Sequence, residues 1–196
     1  MNSLNTISVF CGSSRGNGDS FMEGATAMAE FLADQGVAIV YGGAKVGLMG
    51  AVADAALRKN GKVIGVIPDF IKSKEIAHEN LTELITVTSM HERKTIMHEK
   101  SDGAIILPGG FGTLDEMFEL LTWGQLGLHT KPIGILNIDG FYDHLISCMD
   151  NMVSSGFLRG SNRDMLIIGD DIHKLFDAMV NYEPPLKPKW LDLDQV

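Results

Sequence analysis

The chain has 196 residues, 45% of them hydrophobic and 21% charged, with a net charge of −9. That length and balance fit one soluble globular domain, able to bury about 70% of its unfolded surface without staples. The acidic balance excludes a general binder of nucleic-acid phosphates, which needs a basic face, so any anion site must be built locally.

The strand-like runs, in chain order, are Ile7–Cys11, Val37–Tyr41, Val63–Ile67, Leu81–Val87, Ala104–Leu107, Ile133–Leu136 and a weaker Met165–Ile168. Helix-like segments fall between them near 20–34, 47–59, 89–101, 113–126, 140–155 and 170–180. Strands alternating with helices predict an α/β, Rossmann-like, doubly wound parallel sheet of about seven strands, covered by helices on both faces. Residues 1–182 are read as one catalytic domain and 183–196 as a proline-containing tail. A polar segment at 72–80 lengthens one crossover, a place where function is often carried.

The two cysteines, Cys11 and Cys148, form no C-x-x-C pair and no disulfide framework. The N-terminus lacks the charged start and apolar core of a signal peptide, and no apolar run reaches membrane-spanning length. A cytoplasmic protein with no membrane partner is expected.

In an open parallel sheet, ligands bind beyond the carboxyl ends of the strands. The loops there read CGSSRGNG (11–18), YGGAKVGLMG (41–50) and PGGFGTLDE (108–116). Their glycines and serines suit close approach of backbone to phosphate or ribose, which makes Gly12, Ser13, Gly42 and Gly43 candidate substrate contacts. PGGFGTLDE is not a P-loop, because no Lys-Ser or Lys-Thr follows its glycines. It is not a dinucleotide fingerprint either, because Asp115 stands where the third glycine belongs. A nucleoside monophosphate fits several short cradles better than NAD does.

Thr113-x-x-Glu116 reads as a capping box that opens a helix with an apolar face of Leu114, Met117, Phe118 and Leu121. Glu116 then lies off that face, and Asp115, Glu116 and Glu119 gather at the positive helix end. Ser89-x-x-Glu92 is a second capping box. Arg93 shares a stripe with Met90 and Met97, where a cation needs a partner. A salt bridge within the protein or a clamp on phosphate or carboxylate supplies one, unless the arginine snorkels to solvent. Lys94 points elsewhere and reads as a solvated or ligand-edge lysine. His91 and His98 are too far apart on their helix to share a metal, and no metal site is expected. Cys11 reads as a small buried residue, Arg15 and Lys45 as loop cations, and the eleven methionines as adaptable packing that suits a subunit interface.

Taken together, these segments resemble the LOG ("Lonely Guy") family, cytokinin-activating phosphoribohydrolases once mislabelled lysine decarboxylases. The family signature P-G-G-x-G-T-x-x-E is matched from Pro108 to Glu116, and the arginine-lysine pair on the preceding helix by Arg93-Lys94. CGSS at 11–14, YGGAxVGLMG at 41–50 and TWGQLGLHxKPIGILNxDGFY from Thr122 to Tyr142 match as well. The resemblance runs to about residue 180. It departs at Asp115, where plant members usually carry glutamate.

The resemblance implies a Rossmann-like homodimer with sites near its interface. It implies hydrolysis of the N-glycosidic bond of a purine nucleoside 5′-monophosphate, such as an N6-modified AMP, to free base and ribose 5-phosphate. It assigns catalysis to Arg93 and Glu116, and substrate contacts to Glu75, Lys94, Gly109, Gly110, Gly112, Thr113 and Thr122. The chemistry requires no metal and no organic cofactor: a fixed carboxylate stabilises the cationic ribose as the bond breaks, and the 5′-phosphate supplies orientation. The decarboxylase label fails, since nothing marks a Schiff-base lysine for pyridoxal phosphate. An AMP nucleosidase of purine salvage and a non-catalytic nucleotide or cofactor carrier are the alternatives.

Overall fold

A computed structural model describes residues 3–72 and 77–185. Glu75 and the tail from residue 186 onward therefore lie outside the described residues. The elements run β1 (Thr6–Phe10), α1 (Asp19–Asp34), β2 (Ala38–Tyr41), α2 (Gly47–Arg58), β3 (Val63–Pro68) and α3 (Asp69–Lys72). They continue with β4 (Glu83–Val87), α4 (Met90–Glu99), β5 (Gly103–Ile106), α5 (Phe111–Gln125), β6 (Ile133–Leu136), α6 (Asp143–Ser154), α7 (Gly160–Arg163), β7 (Leu166–Gly169) and α8 (Ile172–Val180).

All seven strands are parallel, in the order β4-β3-β2-β1-β5-β6-β7. The chain winds outward from β1 to β4, then returns to place β5 on the other side of β1. The topological switch point lies between β1 and β5, where such sheets open a crevice.

The strand side chains alternate between two cores with the period of two that a pleated strand imposes. Ile7, Val9, Ile39, Tyr41, Ile105 and Leu107 face α1, α2 and α8. Phe10, Val40, Ala104 and Ile106 face the opposite core, with Met97 of α4, Met117 of α5 and Met149 of α6. Full burial of a side chain of this size contributes roughly 1.5–3 kcal/mol, so each face is held by its own cluster. Met28 and Met179 are also buried. These methionines pack the interior rather than a subunit surface.

The expected strands and helices are present, with shifts at the sheet edges and helix starts. β4 is only partly buried, as an edge strand covered on one side must be, and it begins at Glu83 rather than Leu81. α6 begins at Asp143, after a short 3₁₀ turn over Ile138–Gly140 in which Asp139 takes φ 52°. Among the described residues, no helix is long and apolar enough to cross a membrane.

Candidate active site

β2, β1 and β5 are neighbours, so the glycine loops that follow them meet at one edge of the sheet. The Gly12 amide donates to the Pro108 carbonyl (3.0 Å), and the Leu48 amide to the Gly12 carbonyl (3.2 Å). The approach is close enough to require glycine. A Cβ on Gly109 would fall 2.1 Å from Thr113 Oγ1 and 2.9 Å from the Gly12 nitrogen. Gly43 adopts φ +80°, and Ser13 lies exposed in the first loop.

Gly110 and Gly112 differ. A Cβ on either would meet nothing within 4 Å, and neither has a left-handed φ. No packing within the described residues explains a bare backbone there. It borders open space at the first turn of α5, where unpaired amides and the positive helix end favour an anion.

α5 corrects the expected capping box. Its N-cap is Gly110, with no side-chain cap, and the helix starts at Phe111. Thr113 and Glu116 are therefore inside the helix. The helix packs with Thr113, Glu116, Met117 and Leu120 buried, while Phe118 is exposed. Glu116 points inward rather than off the apolar face, and Asp115, Glu116 and Glu119 all lie beyond the first turn. The other capping box is real. Ser89 Oγ accepts from the Glu92 amide (3.1 Å), and Glu92 Oε2 accepts from the Thr88 amide (2.7 Å) and hydroxyl (2.8 Å).

Arg93 and Glu116 come together beneath the glycine loops, 9% and 8% exposed. Arg93 Nη2 lies 3.7 Å from Glu116 Oε1, close enough for attraction but beyond hydrogen-bond length. Nη1 reaches only the Met90 sulfur (3.8 Å), and Nε has no partner among the described residues. A Cβ on Gly42 would stand 2.2 Å from Arg93 Nη2, so Gly42 provides the guanidinium's space. A buried guanidinium with unused donors is costly unless something else satisfies it. Of the sequence alternatives for Arg93, the internal ion pair exists, and it leaves donors free.

Burial pushes the Glu116 carboxyl up to about 7, against the opposing pull of Arg93. Burial also raises the Cys11 thiol, helped by Glu116 and opposed by Arg93. Cys11 is thus a neutral buried residue beside the pair, as its position at the end of β1 predicts.

Of the two readings of Lys94, solvated or ligand-edge, the structure does not support the solvated one. Its side chain is 12% exposed, and its Nζ lies 3.0 Å from Glu119 Oε1 and 3.2 Å from Asp115 Oδ2. Burial alone would lower its pKa, but the bonds and charges of Glu119 and Asp115 outweigh that and hold it above its ordinary value. Thr122 is exposed, and its hydroxyl donates to the Phe118 carbonyl of its own helix (2.7 Å). Lys45 pairs loosely with Glu79 (3.8 Å), and Arg15 is exposed. His98 packs against Trp123 and His129, while His91 is exposed. Sequence reasoning missed Glu119. Its spacing three residues after Glu116 was the available signal, but its partner on α4 is set only by tertiary packing.

A switch-point crevice, anion-ready glycine loops and a buried Arg–Glu pair define a nucleotide-site class of parallel-sheet protein. The family model described as "possible lysine decarboxylase" matches residues 49–179. The cytokinin riboside 5′-monophosphate phosphoribohydrolase LOG2 of Arabidopsis thaliana is 42% identical over 178 residues, covering 91% of this chain and 84% of that protein. The probable enzyme of the same description LOGL9, from Oryza sativa subsp. japonica, is 43% identical over 178 residues, covering 91% and 78%. The chain belongs to this LOG family. Among solved structures, a molybdenum cofactor binding protein from Rippkaea orientalis shares the fold at TM-score 0.66 and 21% identity, over 90% of this chain and 96% of that one.

Proposed function

We propose that the protein hydrolyses the N-glycosidic bond of N6-modified adenosine 5′-monophosphates, releasing the free base and ribose 5-phosphate. The observation that carries this reading is the buried, open Arg93–Glu116 pair under the glycine loops, in a chain of this family.

The 5′-phosphate is received by the Gly109–Thr113 backbone, where Gly110 and Gly112 leave room. Gly12, Ser13, Gly42 and Gly43 line the ribose side. As the C1′–N9 bond breaks, its electron pair leaves with the base, and positive charge builds on the ribose ring. The Glu116 carboxylate stabilises that charge and orients the water whose oxygen bonds to C1′. One proton of that water ends on the released base. Arg93 donates its unused N–H groups to a substrate oxygen, which suits a planar guanidinium. Glu75, Lys94 and Thr122 take their substrate roles from the family alone. The protein acts in the cytoplasm as a homodimer. The exposed apolar residues Phe118, Leu126 and Leu128, along α5 and the turn after it, support such a surface.

The test is release of free base from AMP and from an N6-substituted AMP, by wild type and by Glu116→Gln. Wild type is expected to prefer the N6-substituted nucleotide. The variant is expected to stay folded and to lose turnover by about 10²–10⁴-fold. Unchanged turnover in the variant rejects the mechanism. Preference for AMP makes the enzyme a salvage nucleosidase, and no base from either nucleotide leaves a carrier.

A further inference from the structure

Three ion pairs join α4 to α5, and they differ in closeness and exposure. Arg93–Glu116 is open at 3.7 Å, whereas Lys94–Glu119 is closed at 3.0 Å. The members are sequence neighbours. Lys94 follows Arg93 directly on α4, and Glu119 lies three residues after Glu116 on α5, the spacing that places two side chains on adjacent parts of a helix surface. Lys94 and Glu119 are 12% and 22% exposed, so their attraction escapes most of the screening that makes exposed pairs nearly worthless. Asp115, the second partner of Lys94, is 62% exposed and holds it less firmly.

An arginine and a glutamate in full contact would satisfy each other and offer little to a substrate. At 3.7 Å they keep their remaining hydrogen-bonding capacity. Something other than their own contact must hold that gap. Lys94 makes the nearby contacts at hydrogen-bond length between the same two helices, to Glu119 (3.0 Å) and to Asp115 (3.2 Å), and of these acids Glu119 is the more buried.

We infer that Glu119 is a positioning residue: through Lys94 it locks α4 against α5 and so sets the gap between Arg93 and Glu116. The inference rests on the proposed function for its catalytic meaning, but its geometric content stands apart. The charged and titratable groups that face Glu116 are Arg93 and Lys94 from α4, Asp115 and Glu119 within α5, and Cys11 at the end of β1. Removing the Glu119 charge takes away one like charge. It also frees the Lys94 ammonium to move toward Glu116. Both changes favour the ionised Glu116 carboxylate.

The experiment compares Glu119→Gln, Glu119→Asp and Asp115→Asn with wild type in the full-length protein. Turnover of an N6-substituted AMP is followed against pH, and the Glu116 carboxyl is titrated directly by carbon-13 NMR. Glu119→Gln is expected to lower kcat about ten- to hundredfold, the scale of a small misplacement of catalytic groups, with KM changed less than about threefold. Its acid limb and the Glu116 titration both move to lower pH. Glu119→Asp keeps the charge, so it recovers part of kcat and the wild-type limb. Asp115→Asn changes kcat by less than about threefold. A Glu119→Gln protein whose kcat falls only with its folded fraction, or whose Glu116 titration is unmoved, overturns the inference. Should wild type cleave no nucleotide, the proposed function fails while the titration still decides the role of Glu119.

Discussion

At the start of α4, Ser89 accepts from the Glu92 amide, and Glu92 turns back to bind the amide and hydroxyl of Thr88. At the start of α5, Thr113 and Glu116 have the same spacing but cap nothing. Gly110 opens the helix, and both side chains are buried. The two glutamates titrate in opposite directions as a result. Hydrogen bonds from Thr88 hold Glu92 below the usual carboxylate range, while burial raises Glu116 to about 7. One acid is committed to its helix, and the other is withheld from it. An acid on a buried helix face, without a hydrogen-bond partner among the described residues, is what a cationic transition state can use.

The largest effect that tests this contrast is on turnover. Glu116→Gln is expected to lose about 10²–10⁴-fold in kcat, whereas Glu92→Gln keeps the turnover of the folded protein near wild type. Comparable losses in both variants would show that the two helix starts share one role.

The next effect is on stability. The folded state raises the Glu116 pKa from 4.5 to about 7, so it binds that proton more tightly than the unfolded chain does. Stability from this group is therefore highest below pH 4.5, falls as pH rises to about 7, and is constant beyond. The cost of the buried carboxylate at high pH is roughly 3 kcal/mol. Glu116→Gln removes it, so urea unfolding at pH 8 should find the inactive variant more stable, with the gap closing near pH 4. Glu92 has the opposite sign. Its contribution is present at neutral pH and is lost as pH falls through its lowered pKa. A Glu116→Gln protein less stable than wild type at pH 8 would mean that Glu116 supports its helix after all.

What was legible in the sequence and what was not divides along the same line. The α4 box is local: Ser89 and Glu92 find their partners within four residues, so the motif alone predicts the bonds. On α5 the same spacing makes no cap, and the buried stripe is Thr113-Glu116-Met117-Leu120 rather than Leu114-Met117-Phe118-Leu121. A glycine N-cap carries no side-chain mark, and the face that α5 turns to the core, Glu116 included, is set by tertiary packing rather than by the segment itself. The seven strands were readable from apolar runs, and the three loops from their glycines. The Arg93–Glu116 contact joins residues on separate helices, and the space that Gly42 leaves for Arg93 comes from a third element. No spacing within one segment encodes either. The ion pairs of Lys94 are not legible on α4 because both its partners lie on the next helix.

Gly42→Ala tests that third element. The added methyl would stand 2.2 Å from Arg93 Nη2 and 3.0 Å from Met49 Sδ, so the guanidinium must move. The arginine end is flexible, so the fold should tolerate the change. A displacement near 1 Å is expected to lower kcat by up to about 10²-fold, with thermal unfolding little changed. Wild-type turnover in this variant would mean that the position of Arg93 does not matter to catalysis.

The smallest effect belongs to the cap itself. Ser89→Ala removes the hydroxyl that accepts from the Glu92 amide and should cost about 0.5–2 kcal/mol in unfolding free energy. Its effect on kcat should be slight for a structural reason. Arg93 closes the first turn of α4, its amide donating to the Ser89 carbonyl (3.1 Å) that the variant keeps, and its guanidinium is also placed by contacts outside that turn: the space at Gly42, the Glu116 carboxylate, and the neighbouring Lys94–Glu119 pair. Fraying at Ser89 therefore leaves those restraints in place. Chemical denaturation and initial rates on one preparation separate the two readings. A loss of stability with turnover preserved keeps the two helix starts distinct. A loss of turnover with stability preserved would place the α4 cap inside the catalytic machinery.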